Sequence, residues 1–253
     1  MVKVYCYPQD GKRKSYEICE AFAQGCGGEI VTDGKWRPGH TFLYGISESN
    51  ESVWRECQRV SEFDWFYSDN AFYDDFRGRM YRVARNRLQH SGIGNSDGKR
   101  FRALGLSFKP WRKSGNHILL TPQSQHFMRV AAGYEGDWAA DTVAQLRMFT
   151  DRPIVVREWS RDKVALARGL PSQLVDAWAL VTYSSGSAIT ALLAGIPVVA
   201  TADCVISPMS GRLDAIESPY MPKDRDAWGA VVADQQWTLD EFRNGTAWRA
   251  VAR

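Results

Sequence analysis

Residues 179–200, ALVTYSSGSAITALLAGIPVVA, constrain the fold more than any other stretch. Ala179–Thr182 reads as a buried strand running into Tyr183–Ser184–Ser185–Gly186–Ser187. From Ser187 to Leu193 the apolar positions follow helical spacing, Gly195 ends the helix, and Ile196–Ala200 reads as the next strand. Strand, helix and strand in quick succession argue for a parallel α/β unit. Small hydroxyl residues cap helices, and Gly186 is expected to turn the backbone tightly so that free N–H groups at the helix start face an anion. A capped helix with no ligand is the alternative reading of the same residues.

The rest of the chain repeats this alternation. Strands are expected at Val2–Tyr7, Glu29–Val31, Thr41–Ile46 and Asp64–Tyr67, with helices over Lys14–Gln24 and from Glu51 to about Val60. The pattern of Met80–Arg87 suits a strand or a helix. A second unit begins near Gly115, with strands at His117–Thr121, Ile154–Arg157 and Ala179–Thr182. Its helices are expected at Asp137–Phe149 and, as short pieces, at Lys163–Arg168 and Gln173–Asp176. Asp224–Arg253 reads as a helical tail anchored by Trp228, Trp237, Phe242 and Trp248. The expected architecture is α/β, two Rossmann-like lobes with a cleft between them, divided into residues 1–113 and 114–253. Open α/β sheets bind ligands at the carboxyl ends of their strands, so the functional residues are sought just after the strands.

Five scattered cysteines without CxxC spacing exclude a disulfide framework or zinc knuckle. The opening residues lack the apolar core of a signal peptide, and no run approaches the ~20 apolar residues that span a bilayer. A cytoplasmic location, without a membrane partner, is expected. The four histidines lie far apart and no Asp-x-Asp follows a strand, so no metal is expected. P-loop and Rossmann-glycine signatures are missing, and Ser185 lacks the Gly-x-Ser-x-Gly elbow of a serine hydrolase. Nothing in the sequence fixes an oligomeric state.

Charge is unevenly distributed. From Phe76 to Lys113 there are eleven Arg or Lys residues against one acid, Asp97, interleaved with Tyr81, His90, Phe101, Phe108 and Trp111. Arg77, Arg79, Arg82, Arg85, Arg87, His90, Lys99, Arg100 and Arg102 make a patch suited to neutralising phosphates, those of DNA among them. A solvated basic surface, or a site for a nucleotide diphosphate alone, is the competing reading.

Ser184–Ser185–Gly186–Ser187, followed by the Ala-Leu-Leu-Ala-Gly-Ile-Pro-Val-Val run, resembles the nucleotide-binding motif of GT-B glycosyltransferases, in particular the capsule-polysaccharide branch. The resemblance implies that Ser184, Ser185, Gly186 and Ser187 contact donor phosphates. The family glutamate that holds the donor ribose falls on Thr190, which puts that contact and the donor's identity in question. Val155–Lys163 resembles the family strand whose basic residues face the diphosphate: Arg157 matches its arginine, Lys163 follows, and Trp159 stands where a histidine is common. An arginine at a strand end stabilises a departing diphosphate, as metal-independent sugar transfer requires. Pro122–Gln123–Ser124 is expected on the same edge. In the first half, Asp69 follows a strand in an aromatic setting and suits the base that takes the acceptor hydroxyl's proton; Asp74 or Asp75 could substitute, and a turn-forming role is the alternative.

The expected activity is sugar transfer from a nucleotide-sugar, which is substrate rather than cofactor, to a hydroxyl. Two acceptors compete, and DNA is the expected one, with the glycan as the alternative. A hydroxymethylated pyrimidine in DNA, as in phage DNA glycosyltransferases acting in the host cytoplasm, is favoured by the basic segment; flipping such a base costs a few kcal/mol. A cytoplasmic surface-polysaccharide precursor is favoured by the capsule-like motif. A non-catalytic nucleotide- or nucleic-acid-binding module is the reading from another class, and Thr190 is its support.

Overall fold

Alternating apolar strands and amphipathic helices fold, in the computed structural model, into two compact units: Met1–His90 with Gln235–Arg253, and Ser91–Asp234. The structure describes residues 2–73, 80–157 and 169–252.

The first unit is built on strands β1 (Val4–Tyr7), β2 (Glu29–Ile30), β3 (His40–Tyr44), β4 (Trp65–Asn70), β5 (Met80–Arg85) and, from the far end of the sequence, β10 (Gln236–Thr238). Their order is β10-β5-β4-β3-β1-β2; β1 to β4 run parallel, while β5 is antiparallel to β4 and β10 to β5. Helix α1 (Arg13–Cys26) lays Ile18, Cys19 and Phe22 on one face of this sheet. The Phe22 ring stacks on Phe42 with centroids 3.8 Å apart and meets Phe242 and Trp248 edge-on at 5.5 and 5.9 Å. Such aromatic pairs contribute ~0.5–1.5 kcal/mol each beyond their area. Phe242 and Trp248 come from α8 (Leu239–Arg243) and α9 (Thr246–Val251). On the opposite face α2 (Glu51–Arg59) sets Trp54 edge-on against Trp65 at 4.9 Å.

One open reading is settled and one expectation is corrected here. Met80–Arg85 is a strand, whose inward Tyr81 and Val83 alternate with Arg82. The tail is not continuously helical, because Thr238 is the N-cap of α8: its Oγ1 accepts from Glu241 N at 3.2 Å while the Glu241 carboxylate accepts from Thr238 N at 2.8 Å. A capping box needs an extended residue at its start, and Gln236–Thr238 uses that conformation to pair with β5.

The second unit holds β6 (His117–Thr121), β7 (Ile154–Val156), β8 (Ala177–Thr182) and β9 (Val198–Ala200), all parallel, in the order β7-β6-β8-β9. Ile118, Leu120, Ala179, Val181 and Val199 point into one core with Trp138 and Leu146 of α5 (Trp138–Leu146). Helix α6 (Ser187–Leu193) follows β8, with the span and strand–turn–helix order expected for it. The short helices α3 (Lys99–Ala103) and α4 (Gln125–Val130) carry little periodicity and are not evident from sequence. Residues 91–113 belong to this unit rather than to the first. Phe101 stacks on Phe108 at 5.6 Å, and both reach α7 (Arg225–Ala233), where the ring of Phe108 lies 6.1 Å from that of Trp228.

Candidate active site

In the second unit β6 comes first, β7 joins one side of it, and the chain then crosses back to place β8 on the other side. A reversal of this kind opens a crevice at the carboxyl ends of the two strands on either side of it. Here those ends are Thr121 and Thr182, and the turns that follow are Pro122–Ser124 and Tyr183–Gly186.

The two turns are tied together by side chains. The Thr182 hydroxyl donates to Thr121 O at 2.7 Å and accepts from Ser185 N at 3.2 Å. Thr121 Oγ1 and Ser187 Oγ are 2.8 Å apart, and Gln123 Nε2 donates to Ser184 Oγ at 3.1 Å. Thr121, Thr182 and Ser184 are buried, so these bonds are needed to offset the desolvation of their hydroxyls. Thr121 and Thr182 belong to this cluster but are not singled out by motif; a threonine closing each of two apolar strands is the signal that points to them.

The geometry changes how the Ser184–Ser187 turn works. Ser187 N bonds Ser185 Oγ at 3.3 Å, Ala188 N bonds Ser185 O at 3.2 Å, and Ile189 N bonds Gly186 O at 3.0 Å. The amides expected to face an anion are therefore largely used within the turn. Gly186 has ordinary helical dihedrals, φ −59° and ψ −14°, so no tight turn demands a glycine there. A Cβ added at Gly186 would meet nothing within 4 Å, and the residue is exposed. Glycine at this position keeps the surface above the turn open. Thr190 sits one turn further into α6, half-buried.

Arg157 directly follows β7, and its N–H donates to Leu120 O at 2.8 Å, which fixes its backbone beside the end of β6. The side chain is 8% exposed, and burial lowers its pKa from the ordinary arginine value. Ser124 caps α4, accepting from Phe127 N at 3.2 Å. Lys163 lies outside the described residues.

In the first unit Asp69 lies within β4, one residue before its end and paired with Arg82 of β5, rather than after the strand as expected. Its Oδ2 accepts from Arg82 Nη2 at 3.0 Å and from the Tyr67 hydroxyl at 3.4 Å, and its side chain remains 37% exposed. Arg82 is buried, donates to Leu88 O at 2.6 Å, and stacks over Phe72 at 4.9 Å and Tyr67 at 5.7 Å. It is an internal partner of Asp69, not a surface contact for phosphates. Arg85 is similarly engaged, pairing with Asp64 at 2.7 Å. Arg87, His90 and Arg100 are half-buried. Lys99 pairs with Asp97 at 2.9 Å, and Arg102, which is exposed, donates to Asp97 O at 3.1 Å. The basic segment is thus shared between the two units, residues 82–90 in the first and 99–102 in the second. Arg77, Arg79, Asp74 and Asp75 lie outside the described residues.

Among the described residues no group of three or more His, Cys, Asp or Glu side chains is arranged to hold a metal ion, and no helix is long and apolar enough to cross a membrane.

No family model and no curated protein sequence matches this chain. Solved structures do. One is described as Thermosulfurimonas dismutans KpsC, beta Kdo 2,7 transferase, and aligns with a TM-score of 0.54 at 10% identity, covering 98% of this chain and 99% of that one. Another, Thermosulfurimonas dismutans KpsC, beta Kdo 2,4 transferase, aligns with a TM-score of 0.52 at 12% identity, covering 94% of this chain and 92% of that one. The chain shares its fold with these transferases. The likeness to the capsule-polysaccharide type of glycosyltransferase, first visible in residues 184–199, therefore extends to the fold along nearly the whole chain.

Proposed function

We propose that the protein is a glycosyltransferase that moves a sugar from a nucleotide-sugar to a hydroxyl of a surface-polysaccharide precursor. The observation that carries the reading is the polar cluster at the strand-order reversal of the second unit, in a fold shared with two Kdo transferases. The donor's phosphates would lie over Ser184–Ser187, with Pro122, Gln123 and Ser124 along the adjacent strand end and Thr190 toward the ribose. Because the turn's amides are mostly used internally, the positive charge opposite the leaving phosphate falls to Arg157, aided by Lys163, and the reaction proceeds without a metal or other cofactor. The acceptor oxygen attacks the anomeric carbon, the bond to the donor phosphate breaks, and Asp69 takes the hydroxyl proton.

The glycan acceptor is preferred to DNA because Arg82 and Arg85 are spent on Asp69 and Asp64. Exposed Lys99 and Arg102 are what favour the DNA reading. A panel of nucleotide-sugars incubated with the protein, without acceptor, tests the activity through nucleotide release. One donor is expected to turn over slowly, and Arg157→Lys to reduce that release by about 100-fold. Binding of donors without any release would reduce the protein to a nucleotide-binding module. Transfer onto hydroxymethylated DNA, read by mass analysis of its nucleosides, would replace the glycan acceptor with DNA.

A further inference from the structure

The parallel strands of the first unit have an amino end, opposite the end that carries Asp69. There, where Val4 of β1 pairs with His40 of β3, lies a cavity of about 350 Å³ whose lining includes Val4, Cys26, Gly27, His40 and Trp248. Cys26 is the last residue of α1, and of the five cysteines it alone is not buried. No residue assigned to donor or acceptor lines this cavity.

The Cys26 sulfur is lodged between α1 and β1. Gly27 takes the left-handed conformation that ends α1, with φ +68°, and turns the chain back toward the strand. A Cβ built on Gly28 would stand 3.0 Å from Cys26 Sγ and 2.8 Å from Val4 O, so a side chain there would occupy the space that brings sulfur and strand together. The Cys26 thiol donates to Ala23 O at 3.6 Å. Val4 and Cys6, two residues apart, project from β1 into the apolar cluster under α1, and Cys26 packs against that cluster. Here the buried Cys6 thiol hydrogen-bonds the Cys26 sulfur. That bond above all holds the Cys26 thiol below its ordinary pKa, while burial raises those of Cys6, Cys19, Cys57 and Cys204. The thiolate is the reacting form of cysteine. One thiol of the five therefore combines access with ease of ionisation, and a second thiol touches it.

We propose that Cys26 and Cys6 are a reversible redox pair, in which a hydroperoxide entering the cavity oxidises Cys26 and Cys6 resolves the product. The Cys26 thiolate attacks the terminal peroxide oxygen, the O–O bond breaks, and an alcohol or water leaves with the proton the thiol gave up. Cys26 is then a sulfenic acid. The Cys6 sulfur attacks the Cys26 sulfur, the S–O bond breaks, and water leaves with the Cys6 proton. Two thiols have given two electrons to one peroxide, and the product is a Cys6–Cys26 disulfide that a dithiol reduces back. The cross-link fastens the end of α1 to β1 and stops Cys26 short of irreversible oxidation to the sulfinic acid. This site is independent of the glycosyl-transfer reading.

The full chain, reduced and native, is exposed to hydrogen peroxide, alkylated, digested without reductant and mapped by mass spectrometry. A linked peptide pair joining Cys6 to Cys26, released by dithiothreitol, is expected, with Cys19, Cys57 and Cys204 recovered as free thiols. In Cys6→Ser, sulfenic acid trapped on Cys26 by dimedone is expected to rise about tenfold or more over the unsubstituted chain. In Cys26→Ser, Cys6 is expected to stay reduced at the same peroxide dose. The map of the unsubstituted chain and the Cys26 variant leave the core intact, so the test holds if the Cys6 variant misfolds. Cys26 still reduced in the folded chain, sulfenic acid persisting on Cys26 beside a free Cys6, or a cross-link formed only after urea unfolding would overturn the pair. Nucleotide release does not enter this measurement, so either reading can fail without the other.

Discussion

Asp69 and Arg82 sit opposite each other on β4 and β5, and two different jobs suit the carboxylate. As the acceptor's base it must lose and regain a proton, whereas as Arg82's partner it need only stay charged. Paired substitutions separate these. Asp69→Asn is expected to cut sugar transfer by about 100-fold or more while Arg82→Gln cuts it less than about tenfold. Equal losses, each with a lowered melting temperature, would make the pair a structural tie. His90 gives a second test at this scale. Burial, and then the charge of Arg87, hold its imidazole pKa below the ordinary value. The unfolded chain therefore binds more protons near its own His pKa of about 6.5, so stability present above that pH is lost as pH falls. Urea unfolding at pH 7.5 and 5.5 is expected to show this drop, and His90→Asn to shrink it; an unaltered drop in the variant would assign it to other groups.

At the level of elements, two glycines of one motif play opposite parts. Gly195 has φ +77°, and a Cβ there would stand 2.1 Å from Pro110 O. Gly195→Ala is expected to destabilise the protein by roughly 3 kcal/mol in urea unfolding, from left-handed strain and steric overlap together. Gly186→Ala, with helical dihedrals and open space around it, is expected to change stability by less than about 0.5 kcal/mol. A large destabilisation from Gly186→Ala would mean that the turn is under strain after all. The same contrast shows what the sequence made legible. The apolar strands His117–Thr121 and Ala179–Thr182, the latter extended back to Ala177 in the fold, and the helix Ser187–Leu193 stand out by pattern, because their period and their boundary residues agree. The role of Gly186 does not, because a glycine selected for clearance looks the same in sequence as one selected for φ. Gln236–Thr238 was hidden too, three residues among aromatic positions that fit a helix equally well. The ties of Arg82 and Arg85 are likewise invisible before their strands pair, so the basic run reads as one continuous surface although these two arginines are held by Asp69 and Asp64.

Across the whole molecule, the first unit is assembled from two stretches of sequence separated by the entire second unit. Phe242 and Trp248 complete the aromatic cluster around Phe22, and Gly25 is the point where α1 touches that C-terminal segment, since a Cβ there would lie 1.9 Å from Phe242 O. A chain stopped after Asp234 is expected to keep the second unit and lose the first. Strong ANS fluorescence, with loss of native amide protection confined to residues 2–90, would report it; a folded first unit in that truncation would show that β10, α8 and α9 are dispensable.

The late position of β10 also orders events during synthesis. Residues 91–234 contain every partner their own sheet requires and can close as soon as they leave the ribosome, while residues 2–90, made earlier, wait with an uncovered sheet edge until the final segment emerges. Residues 2–90, translated before residues 91–234, are thus expected to mature after them, with aromatic surface exposed in the interval.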